Sequence, residues 1–438
     1  MPREITAPRR SRRWVIALLA LPVLFLLLQL GHRAIDALGS DPVRSVSPYE
    51  PSGLHPSISD SAFVRALSGL TQVALLPGHR IDLLVDGPHT IARLEEDLRN
   101  ARQSILFQTY YCEPGEVADR IKRVLVQKAS EGVPVFFLRD GFGCSSLQGG
   151  WSDSLIAGGA NVGVVRPLHW YSFHRAQHRS HVRAVVIDDR IGYTGGFGVA
   201  DKWLPRADTA GWRETTVRFE GPAVGQLTGA FAIAWSEVTG TLLVDGPAEL
   251  PSGQSGPLAG LLHTTRQYGT PVPERYLALT LRSARSRVFV TNPYFIPNRE
   301  LRDWLIAAAG RGVDVRVLTA GDNIDHRWTR WASRTRYEAL LRGGVRIYEY
   351  LPAMLHAKTM VVDGRFASVG SLNLDNVSLR INDETVLLAF DSTLGATMDS
   401  LFLADLEQAD EISLTQFERR PWHDKLRESL ARVLRDFL

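Results

Sequence analysis

At 438 residues the chain is too long for one ordinary domain, and its 45% hydrophobic and 22% charged residues exclude a disordered protein. A formal net charge of +3 supplies no basic channel, so nucleic acid is not expected as a partner. Among 50 basic residues only Lys122, Lys128, Lys202, Lys358 and Lys425 are lysine, which gives weight to any position where lysine is kept.

Residues 1–13 form a basic tail carrying Arg3, Arg9, Arg10, Arg12 and Arg13. Residues 14–30, Trp14 to Leu30, are uncharged and apolar, and at helical rise they reach about 25 Å, near the thickness of a bilayer core. A signal peptide is the rival reading, but its apolar region is usually shorter and no small-x-small cleavage site follows directly. The segment is therefore expected to be an uncleaved transmembrane anchor, and the arginines before it place the body outside the cytoplasm. Residues 31–60, rich in Pro, Ser, Gly and Asp, read as a linker.

The body then repeats itself. A first domain is expected over 61–246, with a strand at Ser104–Phe107, a helix over Val117–Ser130, and Glu131-Gly132-Val133 leading into a second strand. A joint crowded with Pro, Gly and Ser occupies 247–259. A second domain over 260–410 offers a strand at Ser286–Val290, a helix over Glu300–Ala309, and Arg311-Gly312-Val313 leading into a strand through Leu318. Strands alternating with helices predict parallel βαβ units and an α/β fold. A period of roughly 175–180 residues predicts duplicated domains, not a solenoid. Cys112 and Cys144 each follow an expected strand, and a single bridge and two reduced thiols both fit that placement. Residues 411–438 close the chain with an amphipathic helix whose Leu426, Leu430, Val433 and Leu434 are expected to pack on the body, with the bilayer surface as second reading.

The sharpest motif is His356-Ala357-Lys358-Thr359-Met360-Val361-Val362-Asp363-Gly364. Met360–Val362 is an apolar run and Asp363-Gly364 a hairpin signal. His356 and Lys358, two apart on a strand, share a face. An imidazole beside a fixed cation suits an anionic phosphodiester. Ser371 and Asn373 follow as candidate phosphate-binding groups, and Glu384 is placed to accept from the second imidazole nitrogen. The first half repeats the pattern with His181, Arg183 and Asp188, then Gly195-Gly196-Phe197-Gly198, then Glu214. Arg183 stands where the second half has Lys358, and Gly198 where it has Asn373. The small Gly198 is expected to leave room that the two-pronged guanidinium of Arg183 uses. His178 fails as an alternative, because Ser180 and Val185 hold the positions that need a cation and a carboxylate. His169, His174, His178 and His181 do not repeat a standard ligand spacing, so neither metal nor cofactor is expected. Trp328, Trp331 and Tyr337 read as core or membrane-facing packing, and Arg327–Arg336 as a solvated helix face.

HxK/R(x)4D, present twice and followed in the second half by GSxN, resembles the signature of the phospholipase D superfamily. The stretches "TNPYFIPN", "GVRIYEYLPAMLHAKTMVVDG" and "SVGSLNLDN", with "WRETTVRFEGPAV" in the first half, are similar to bacterial cardiolipin synthases, and the likeness covers roughly Arg80 to Leu438. The resemblance implies two homologous phospholipase D-like α/β domains packed as a pseudo-dimer around one active site. It implies that one histidine attacks phosphorus to give a phosphohistidine while the other protonates the leaving alcohol, after which a second alcohol attacks. Arg183, Lys358 and Asn373 would stabilise charge, Glu214 would orient His181, Glu384 would orient His356, and Asp188 and Asp363 would serve the turns. The implied function is membrane-bound synthesis of cardiolipin from phosphatidylglycerol at the bacterial inner membrane, with phospholipids and membrane as partners. The alternatives are phosphodiester hydrolysis and a non-catalytic lipid-binding relative, the latter suggested by Arg183 and Gly198.

Overall fold

The computed structural model describes residues 42–47, 55–147, 150–168, 177–207, 209–244, 255–266 and 269–434. The basic tail, the expected anchor at 14–30, His169 and His174 lie outside the described residues. Among those described, no helix is long and apolar enough to cross a membrane.

The strands of the first half are β1 (Arg80–Val85), β2 (Ile105–Thr109), β3 (Val135–Asp140), β4 (Asn161–Val165), β5 (Ala184–Ile187), β6 (Ile191–Gly195) and β7 (Thr215–Glu220). Those of the second are β8 (Leu258–Thr264), β9 (Arg287–Thr291), β10 (Asp314–Ala320), β11 (Arg346–Tyr350), β12 (Thr359–Val362), β13 (Phe366–Gly370), β14 (Glu384–Phe390) and β15 (Ala409–Glu411). The first sheet runs β1-β7-β6-β5-β2-β3-β4 and the second β15-β11-β10-β9-β12-β13-β14-β8. Matched strand for strand, the two orders coincide, with β15 added at one edge. The repeat read from the sequence is thus a repeat of topology.

In each half three strands run parallel, β2-β3-β4 and β9-β10-β11. The strand after each histidine motif lies antiparallel beside the first of them, β5 on β2 and β12 on β9. Gln108 pairs with Ala184 and Thr291 with Thr359, so both histidines sit at the carboxyl edge of the parallel strands. That edge is where open α/β sheets place their ligands. At the opposite end, Asp188-Asp189 and Asp363-Gly364 turn the hairpins in left-handed conformation. The Asp188 carboxylate accepts from the backbone N–H groups of Arg102, Gln103 and Ser104. Asp363 does the same for Arg285, Ser286 and Arg287. Each motif carboxylate therefore pins its hairpin to the start of the central strand.

One apolar cluster crosses between the halves, joining Val182, Phe219, Phe231 and Trp235 to Leu261, Phe289, Val369 and Leu387. The helix Ser61–Thr71, although it precedes β1, belongs to the second half's core: Phe63 lies edge-on to Phe366 and Phe390 at centroid distances of 6.0 and 5.8 Å. Cys112 and Cys144 form a disulfide, joining the chain after β2 to the loop after β3. The helix Arg327–Arg334 is less solvated than its composition predicts, because Arg330 and Arg334 both turn inward onto Glu349, at 2.6 and 2.8 Å. Tyr337 is fully buried.

Candidate active site

A cavity of about 470 Å³ opens where the two carboxyl edges face each other, and His181, Arg183, His356 and Asn373 line it. Both imidazoles are buried, and each presents Nδ1 to a fully buried carboxylate. The pairing is crossed. His181 Nδ1 donates to Glu384 at 2.9 Å, and His356 Nδ1 donates to Glu214 at 2.7 Å. The expectation that each glutamate orients the histidine of its own half is corrected here. Backbone geometry gives the reason: Ser180 bridges Asp383 and Arg213 bridges Leu355, so the residue before each histidine runs beside the residue before the opposite glutamate. His356 N donates to Arg213 O at 2.8 Å and Asp383 N to Arg179 O at 3.1 Å, which fixes the register of this exchange.

Glu214, held as a carboxylate, can only accept, so His356 carries its proton on Nδ1 and leaves Nε2 as the free nitrogen. His181 is held by the same Nδ1 contact to Glu384, which likewise turns its Nε2 away from the glutamate. Burial first, then the Arg183 and Lys358 charges, hold His181 well below the ordinary imidazole range. Burial and then Lys358 push His356 down to about 4, against the pull of Glu214. Burial pushes Glu384 well above the usual carboxylate range. Burial acts on Glu214 too, but the hydrogen bond from His356 and the nearby cations prevail and hold it below that range. Desolvation lowers Lys358 to about 7.

The motif cations make the same contact in both halves. Arg183 Nη1 donates to its own histidine's carbonyl, His181 O, at 2.8 Å, and Lys358 Nζ donates to His356 O. They differ in reach. Arg183 lines the main cavity, whereas Lys358 lines a neighbouring void of about 30 Å³. Asn373 is buried in the cavity wall, and its Oδ1 has no partner among the described residues.

Two expectations about the small residues change. Ser371, expected to bind phosphate, is fully buried; its hydroxyl donates to Glu384 Oε2 at 2.5 Å and so steadies the carboxylate that holds His181. Gly198 leaves no free room. A Cβ there would stand 2.8 Å from Trp203 Cη2 and 2.9 Å from Tyr111 O. Gly196, at the position of Ser371, is equally constrained, since a Cβ would meet Glu214 Oε2 at 2.4 Å.

Sequence reasoning missed the aromatic walls. Tyr110 lies edge-on to His181 at 4.7 Å and beneath the Arg183 guanidinium at 5.1 Å. Trp203 and Trp212 flank His356 at 5.5 and 5.2 Å. Asp375 also lines the cavity, accepts from Ser378 N at 2.8 Å, and is pushed up to about 7 by burial. The available signal was position: Tyr110 directly follows β2, at the ligand-binding edge of a parallel strand.

Comparison with known proteins gives the family and the fold. The family described as "Cardiolipin synthase, PLD-like domain" matches residues 277–406. Cardiolipin synthase A of Pseudomonas entomophila is 34% identical over 373 residues, 84% of this chain and 77% of that one. The chain belongs to the cardiolipin synthase family of the phospholipase D superfamily. A second member, cardiolipin synthase A of Pseudomonas syringae pv. syringae, is 32% identical over 86% of this chain and 79% of its own length. In fold, this cardiolipin synthase relative matches phosphatidylserine synthase of Haemophilus influenzae with a TM-score of 0.62 at 16% identity, covering 86% of this chain and 98% of the other.

Proposed function

We propose that the chain is a phosphatidyltransferase that makes cardiolipin and glycerol from two molecules of phosphatidylglycerol. The observation that carries this reading is the pair of buried imidazoles, each with Nδ1 held by a carboxylate and Nε2 left for one shared cavity. One Nε2 attacks phosphorus, forming an N–P bond as the P–O bond to glycerol breaks, and the other imidazole gives glycerol its proton. The hydroxyl of a second phosphatidylglycerol then attacks the phosphohistidine and loses its proton to that same imidazole. The phosphodiester's negative charge opposes the cations that depress the imidazoles and so favours the protonated acid. Arg183 and Asn373 supply donors from the cavity wall, and Lys358 acts from behind His356.

The body is placed outside the cytoplasm, anchored through residues 14–30. The disulfide supports this reading, since such bonds persist in oxidising compartments. A reporter active only outside the cytoplasm, fused after Leu438, is expected to function, and activity of a cytoplasm-only reporter there would overturn the orientation. The reaction is tested by giving purified protein radiolabelled phosphatidylglycerol. Cardiolipin with released glycerol is expected. Phosphatidic acid alone would make the chain a hydrolase, and no turnover would make it a lipid-binding relative.

A further inference from the structure

The C-terminal helix Trp422–Leu434 has two faces with opposite character. Its inner face packs on the helix Arg327–Arg334, through Ala431 against Ala332 and through Glu428, which is buried and bonded to Arg334 and Arg420. Its outer face carries Trp422, Leu426 and Leu430, at four-residue spacing, 75%, 51% and 65% exposed. Spacing of four keeps these three side chains on one stripe. The amphipathic pattern expected to pack on the body therefore leaves its largest apolar groups in solvent.

Charge is sorted on the same helix. Glu428 is turned into the body, while Lys425 and Arg427 are exposed beside the apolar stripe and Arg419 stands exposed just before the helix. Asp424, only partly exposed, is paired with Arg427 at 3.3 Å. Along one side lies a cavity of about 510 Å³ whose walls carry Arg334, Arg342, Arg420 and Lys425 against three carboxylates. An apolar stripe edged by cations is the profile of a helix lying in the interface of an anionic bilayer.

We infer that the outer face of Trp422–Leu434 docks on an anionic phospholipid surface. The placement has a use. The helix it packs against contributes Trp328 and Thr329 to the active-site cavity, and Ile296 joins that cavity to the cluster under the docked helix. Docking therefore brings a wall of the active-site cavity within one helix of the lipid surface. The inference concerns a surface and draws on the phosphatidyltransfer reading only for the use of that placement.

The test uses the full chain in lipid nanodiscs. Leu430→Cys is labelled with an environment-sensitive fluorophore, the two native cysteines being joined to each other. In discs containing phosphatidylglycerol, blue-shifted emission quenched by shallow nitroxide lipids is expected, with little quenching in pure phosphatidylcholine. Water-like emission in both would overturn the inference, as would a blue shift that needs two protein copies per disc and escapes lipid quenchers. A second variant, Leu426→Glu with Leu430→Glu, is expected to lose about tenfold in turnover of bilayer-embedded lipid while keeping its rate on detergent-dispersed lipid. Equal rates on both would also overturn it. The fluorescence arm stands whether or not cardiolipin is the product.

Discussion

The two halves share one topology and divide the site unequally. Around His181 stand Tyr110, an arginine that reaches the cavity, and a glutamate steadied by Ser371. Around His356 stand two tryptophans, a lysine set back in its own small void, and a glutamate that contacts Trp203. The substitutions are linked rather than independent. Trp203 packs so closely on Gly198 that a side chain there would meet its ring. Arg183 in turn reaches the wall that Lys358 does not, so loss of the amide in one half goes with a longer cation in the same half. A duplicated scaffold has been specialised on its two sides while the crossed histidine–glutamate pairs keep it one site.

The strongest way to break this comparison is removal of either histidine. His356→Ala and His181→Ala are each expected to lower turnover by about 10⁴-fold or more; retained turnover in His181→Ala would mean that the halves are not joint participants. Next comes the crossing itself. Glu214→Gln and Glu384→Gln are each expected to cost about 100-fold or more, as when the group that fixes a catalytic histidine's tautomer is lost. In ¹⁵N-histidine spectra, Glu214→Gln should move the His356 signals and Glu384→Gln those of His181; the reverse pattern would refute the crossing. Arg183→Ala should cost about 100-fold, the usual loss for one transition-state donor. Adding Gly198→Asn to Arg183→Lys should lower the rate further instead of restoring it, because the asparagine meets the Trp203 ring.

The smallest effect separates the two cations. Lys358, lowered to about 7, loses its charge as pH rises through that value, while an arginine keeps its own. His356, lowered to about 4, gains a proton and loses its free lone pair as pH falls through that value. The pH profile of kcat/KM, which reports the free enzyme, should therefore fall on the alkaline side near 7 and on the acid side near 4. Lys358→Arg should move only the alkaline limb, upward. An unmoved limb would assign it to another group.

The sequence carried the repeat, the hairpin turns and the two histidine motifs, because these depend on local periodicity and spacing. His-x-cation spacing and Asp-Gly turns act within a few residues. What it did not carry depends on how two distant surfaces meet. Partner exchange between Glu214 and Glu384 follows from two backbone bridges between the halves. Ser371 looked like a phosphate group by its motif and became a support for Glu384 only in three dimensions. The helix Ser61–Thr71, which sequence order puts at the start of the first domain, packs in the core of the second. Gly198 read as open space because glycine is small, whereas its neighbour Trp203, five residues on, fills that space.

The crossed pairs also order events in time. His181 is synthesised 203 residues before Glu384, the first residue of β14. At about 5–20 residues per second, the first histidine waits roughly 10–40 s for the group that fixes its ring. Phe63 waits through most of the chain for Phe366 and Phe390. A nascent first half thus carries an unoriented imidazole and a helix with no surface to cover, and only the arrival of β14 closes the site. A chain that stops before Glu384 lacks the carboxyl group that holds His181 and the strand against which β13 and β8 pair.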